Sequence, residues 1–406
     1  MRHQFIPVRK LDIVAALAGD VALANAPGGD DFAQFCRLLA ATIHYEAHDE
    51  LEALKHAYFH FNPRLQANAQ RSDEAYAALI KALERVLVRA NFVEIGSAEL
   101  ERARLARGLL PVEVRASMDG YRQMRVFARG SHLEPHDQAA GFLGLARRTS
   151  ETEVYDDVVL VAATKPVSGK PSRRSRRAGD GAVLIKYFHD IASADLDSLL
   201  PDVRVVMNSR DRWTLGLPAL IGGVPILIKL VPTLTILAVI TGLHFGYTGT
   251  VEQDHLKQAL AVMSGLAALG GFAAHQWLKY QRKALHYLIT VKDSIYFRNV
   301  NNNGGVFDAL VGAGEEQDFK ESLLAYRFLL AEPSDEAALD RQVEAWLQAK
   351  FGVDIDFEVT DALATLDGYG LLTREGARLS VPPIAEALRR LDERWDKIFD
   401  YHQPAA

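Results

Sequence analysis

Apolar residues recur at three- and four-residue intervals through most of the first 118 positions, the spacing of helices with one buried face. DFAQFCRLLAATIHYEAHDELEALKHAYFHF and SDEAYAALIKALERVLVRA carry the pattern most clearly. Ser72 with Glu74, and Ser97 with Glu99 and Glu101, place hydroxyls and carboxylates at helix starts, and Pro63 closes the earlier helix. From Tyr121 the period shortens, so that YRQMRVFARG, EVYDDVVLVAAT and AVLIKYFH read as three short strands of a small antiparallel sheet. ASADLDSLLP then reads as a short capped helix.

The pattern next loses its polar positions. Trp213 to Val251 is a run of 39 residues with one formal charge, Lys229, and Gln258 to Leu278 is a run of 21 with none. A bilayer core asks for about 20 apolar helical residues, so the two runs predict a membrane hairpin within 206–280, with spans at about 225–247 and 258–278. Pro218, Pro225 and Pro232 break the first run, leaving Leu215 to Val224 as a lead-in. Arg204, Arg210 and Arg212 precede the hairpin and Lys279, Arg282 and Lys283 follow it, which places both termini in the cytoplasm of a bacterial inner membrane. Lys229 is the intramembrane polar candidate, close enough to the span's start to snorkel to the interface.

The helical period resumes through a stalk and one further helix, EEQDFKESLLAYRFLL, within 281–331, interrupted by the helix-terminating NVNNNGGVFDAL. Residues 332–406 read as a separate unit: two helices, ALDRQVEAWLQAKF and DFEVTDALATLDGYG, a hairpin LLTREGARLSV, and a closing helix after Pro382 and Pro383. That order resembles a winged helix. The expected architecture is thus an α+β membrane protein: a helical N-terminal domain (1–118), a small α+β region (119–205), the hairpin, the stalk and the winged-helix-like domain.

Charge and composition sharpen the candidates. Net charge is -6 over 406 residues, which excludes wholesale binding to nucleic acid, and the lone Cys36 forms no internal disulfide and fits a reducing compartment. Within 165–177 a Pro/Gly/Ser-rich loop holds Lys165, Lys170, Arg173, Arg174, Arg176 and Arg177. Near an anionic leaflet each would gain about 1 kcal/mol, which makes the loop a membrane-surface candidate; a nucleic-acid site would interleave aromatics, and the loop has none. From Ser334 to Val381 there are ten acidic residues against four basic, and the second helix offers Glu358, Asp361 and Asp367 with no cation, which argues against phosphate contact. His44, His48, Glu52, His56 and His60 follow at four-residue spacing. His44 with His48 could hold a metal from one helix face, yet successive steps rotate by about 40°, so the five cannot share one site. No phosphate loop and no nucleophile elbow occurs, and no cofactor is expected.

FIPVRKLDIVAAL, AVLIKYFHDIASADLDSLLP, the hairpin, and SIYFRNVNNNGGVFDALVGAGEEQDFKESLLAY come in the order that resembles domain of unknown function 3754, the family of animal transmembrane protein 143. The resemblance implies a membrane protein and brings no catalytic residue, substrate or cofactor. The leading expectation is an integral membrane protein that acts as a tethered scaffold or adaptor, contacting the lipid bilayer and binding proteins through its C-terminal domain. Two alternatives stand beside it: a metal-dependent hydrolase using His44 and His48, and a homo-oligomeric channel component with Lys229 facing the path.

Overall fold

In the computed structural model the described residues are 4–20, 29–63, 71–96, 98, 100, 113–116, 120–140, 146–165, 181–199, 203–206, helical positions scattered from 257 to 289, and 295–398. The chain forms two compact units, one of residues 1–109, 118–196 and 298–406, the other of 110–117 and 197–297.

The first unit opens with helices α1 (Lys10–Ala18), α2 (Asp30–Phe59) and α3 (Asp73–Arg89). Ser72 caps α3 as its sequence suggests, its Oγ accepting the Ala75 N–H at 3.1 Å. A short strand β1 (Val93–Glu94) follows; β2 (Glu113–Ala116) belongs to the second unit. Strands β3 (Tyr121–Ala140) and β4 (Ala146–Thr164) form a long antiparallel hairpin, continued by β5 (Val183–Ala192) and a 3-10 helix, Ser193–Leu199. Strand β6 (Val203–Val206) pairs with β2 in the second unit, and β7 (Asn299–Asn302) closes the first unit's sheet in the order β1-β3-β4-β5-β7. Gly130 sits within β3 at a φ of +66°, where a β-carbon would collide with the Asp156 carboxylate and the Phe5 ring.

Helices α4 (Gly304–Ala331), α5 (Glu336–Phe351) and α6 (Val359–Gly368), the hairpin β8 (Thr373–Glu375) with β9 (Arg378–Ser380), and α7 (Ile384–Lys397) complete the unit. Leu379 of β9 also forms an isolated antiparallel bridge with Ser334, which ties the hairpin to the segment before α5. Asp335 caps α5 through the Ala338 N–H, and Gly352, in the left-handed region, ends it.

Two cores result, and α2 and α4 run through both. One packs Val159, Val161, Val183 and Ile185 of the sheet against Leu54 and Tyr58 of α2, the apolar side of α3, and Val306, Phe307 and Leu310 of α4. The other packs Phe32, Phe35 and Leu39 of α2 and Leu323 and Tyr326 of α4 against α1, α5, α6 and α7. Tyr326 stacks on Phe35 at 4.3 Å and donates its hydroxyl to the Pro382 carbonyl. Cys36 lies buried in this second core, where burial pushes its thiol up to about 12.

The membrane hairpin is not borne out. Among the described residues no helix is long and apolar enough to cross a membrane. The span expected at 225–247, with Lys229, lies outside the described residues, and of the span at 258–278 only separate helical positions are described. Freedom from charge is a weaker signal than dense apolar content: the second run includes six alanines and three glycines, which bring little apolar area each. The fold is α+β with a small antiparallel sheet, and the integral-membrane placement and inner-membrane localisation drawn from the hairpin are withdrawn with it.

What α4 buries is unusual for a helix. Gln317, Lys320, Glu321, Ser322 and Arg327 are buried alongside its apolar residues, and the first three have specific partners. Gln317 Oε1 accepts the Ile6 N–H at 3.1 Å and Lys320 Nζ donates to the Ile6 carbonyl at 3.0 Å, so two side chains one turn apart satisfy both backbone groups of one residue. Gln317 Nε2 donates to Glu321 Oε1 at 2.5 Å.

Gln317→Leu or Lys320→Met would strand one of the Ile6 groups in the interior, and each is expected to lower the unfolding free energy by about 1–3 kcal/mol in urea denaturation; unchanged midpoints would show that Ile6 is not anchored this way. A second expectation concerns pH. Burial, with repulsion from Asp318, Asp361 and Glu358, pushes the Glu321 carboxyl well above its ordinary range. A carboxyl raised in the folded state stabilises below its unfolded pKa of about 4.3 and loses that contribution as pH rises toward the folded value. Glu321→Gln removes the titration, so as pH rises above about 4.3 the variant should lose less stability than the wild type.

Candidate functional site

Helices α3 and α6 face each other across a cleft of about 690 Å³. The α3 wall presents Lys81, Glu84, Arg85, Val88 and Arg89, the i, i+3/i+4 face of that helix, and the α6 wall presents Asp361, Ala364, Thr365 and Gly368 on the same spacing. Glu46 of α2, Asp318 of α4, Tyr369 and Arg394 of α7 complete the lining.

Most of its charges are held. Arg89 pairs with Glu50 of α2 at 2.9 Å and with Asp318 of α4, tying three helices together beneath the cleft. Burial pushes the Asp318 carboxyl up to about 6, against the pull of Arg89 and with Asp361 and Glu50 adding repulsion. Arg394 grips Glu46 at 2.6 Å, donates to the Gly368 carbonyl at 3.2 Å and lies over the Tyr369 ring, whose hydroxyl also donates to Glu46 at 3.0 Å. Glu84 pairs with Arg125 of β3. Lys81, Arg85 and Asp361, by contrast, form no ion pair or side-chain hydrogen bond with the described residues. The cleft therefore offers two open cations on one wall and an open carboxylate on the other. Among its lining groups there is no nucleophile poised beside a base.

A second polar cluster lies in the sheet. Asp157 of β4 is buried and accepts from Arg129 Nε at 2.9 Å and Tyr187 Oη at 2.8 Å, and it also pairs with the half-exposed His189 ring. Arg129 is sandwiched between the Phe5 and Phe92 rings at 4.8 and 5.0 Å. Asp157 is held below the usual carboxylate range by His189, Arg129 and Tyr187 despite its burial, and donating a hydrogen bond to Asp157 raises His189. This cluster fixes β3, β4 and β5 at one level.

The residues singled out in the sequence are dispersed. His44 is exposed on α2 with Nδ1 2.9 Å from Glu315 of α4, and His48 is exposed one turn on. Among the described residues no group of three or more His, Cys, Asp or Glu is placed to hold a metal ion. Lys165 is exposed at the end of β4, while Lys170, Arg173, Arg174, Arg176 and Arg177 lie outside the described residues, as does Lys229. The cleft escaped sequence reading because its walls are far apart in the chain. One signal was available: Lys81, Arg85 and Arg89 recur every four residues on α3, opposite to its apolar side.

The Asp157–His189 pair is open to direct test. His189 should titrate above the free-imidazole value of about 6.5 in an NMR pH series, and Asp157→Asn should bring the midpoint back down; equal midpoints would mean the pair does not form.

No solved structure matches this chain. The match to a family is confined to residues 155–305, which hold most of β4, all of β5 and β7, and the long charge-poor stretch between them. It bears out the family expected from the sequence and does not extend to the narrower likeness to animal transmembrane protein 143. Residues 155–305 of the chain match the family described as Protein of unknown function (DUF3754).

Proposed function

We propose that this chain is an adaptor that binds other proteins, with its winged-helix-like half making protein contacts and not DNA contacts. The observation that carries this reading is the setting of α6. It occupies the place of a recognition helix, after α5 and before the β8–β9 wing, and its exposed residues include Asp361 and Asp367 with no cation. A duplex approaching that face would meet carboxylates where phosphate contacts are needed, and α3 already forms the opposite wall of the space in front of it. Mixed charges, an exposed Val88 and a tyrosine in one cleft are the makings of a protein-contact surface.

The reading is tested by affinity purification of the tagged full-length chain beside an Asp361→Lys/Thr365→Arg double variant. The wild type is expected to capture a defined partner set that the variant loses, and to show no shift with duplex DNA at physiological ionic strength. A DNA complex in the wild type, or an identical partner set in the variant, would overturn it.

A further inference from the structure

The cleft between α3 and α6 is a groove with walls of opposite sign, each of which also carries an apolar residue. Lys81 and Arg85 stand one turn apart on α3 and are exposed; Asp361 stands exposed on α6. None of the three has an ion-pair partner among the described residues, whereas Glu46, Arg89, Asp318 and Arg394 are all engaged. Val88, 66% exposed, and Ala364 lie along the same groove. Residues 81–89 and 361–369 each advance about 12 Å at 1.5 Å per residue, just over two helical turns.

The walls also restrict what form an occupant can take. Both are helices whose backbone groups are consumed internally, so neither offers a free strand edge to which an extended peptide could add. Recognition must run through side chains, as when a helix lies in a groove. An occupant that was anionic throughout would meet Asp361, and a wholly cationic one would meet Lys81 and Arg85.

We propose, building on the protein-contact reading above, that this groove takes a two-turn helical segment of a partner protein. The segment has an apolar stripe over Val88 and Ala364, an acidic edge toward Lys81 and Arg85, and a basic edge toward Asp361.

Three labelled synthetic helical peptides with the same apolar stripe test this by fluorescence anisotropy on the full chain. The first has one acidic and one basic edge, the second two acidic edges, the third two basic edges. The wild type should bind the first about tenfold more tightly than either other, the sum of two or three exposed ion pairs. Lys81→Glu/Arg85→Glu makes both walls negative and should shift the preference to the peptide with two basic edges. Asp361→Lys makes both walls positive and should shift it to the peptide with two acidic edges. All substituted positions are exposed, and thermal melts establish that the variants are folded. Equal binding of the three peptides by the wild type, or a preference that does not move with the wall charges, would overturn the proposal. If the Asp361→Lys/Thr365→Arg double variant nevertheless loses its cellular partners, the adaptor reading stands and only the helical occupant falls.

Discussion

Ile6 is held by its backbone, not its side chain alone, and the residues that hold it are Gln317 and Lys320 in the middle of α4. That contact joins the start of the chain to a helix more than three hundred residues away. It also explains how α4 can be buried with Gln317, Lys320 and Glu321 on it: each of these groups, costly in an apolar interior, has a hydrogen-bond partner. Gln317 relays the contact to Glu321, and Arg89 draws Asp318 toward α3 and Glu50 of α2. With α4 fixed along its length, the sheet packs on one end and α5, α6 and α7 on the other.

The groove follows from that arrangement. Because Arg89 is committed downward to α2 and α4, its neighbours one and two turns back on α3, Arg85 and Lys81, are left on the rim. Because α6 turns its apolar residues Val359, Ala362, Leu363 and Leu366 into the core, its acidic face is the one that remains open. Neither wall was shaped by the other. They are opposed because α4 lies between the two helices and sets their separation.

How far this could be read from the residues depends on the range over which each feature is decided. The period of α2 and α3, the Ser72 cap, the first half of β3 and the helix–helix–hairpin–helix order at the end are local, and they are legible. The outer part of the β3–β4 hairpin is not, because Pro135 and the polar residues around it interrupt the alternation although the ladder continues past them. Nor is the start of α4: Asn301, Asn302, Asn303, Gly304 and Gly305 look like a terminator, yet they hold the end of β7 and the first turn of a 28-residue helix. The charge-poor stretch misled in another way, since it was judged by what it lacks. The cleft depends on pairs such as Arg394 with Glu46, separated by most of the chain, and no local pattern announces them.

The sharing of α2 and α4 between two cores bears on how the unit comes apart. Each core takes about a third of its buried apolar residues from helices that the other also needs, so opening one exposes Phe35 and Tyr326 or Tyr58 and Phe307 on a rod still embedded in its neighbour. Such a unit has few places to yield in part, and its amides should exchange with solvent largely as one cooperative block. A chain ending before α5 would present the apolar flank of α4, Leu323 through Leu329, to water.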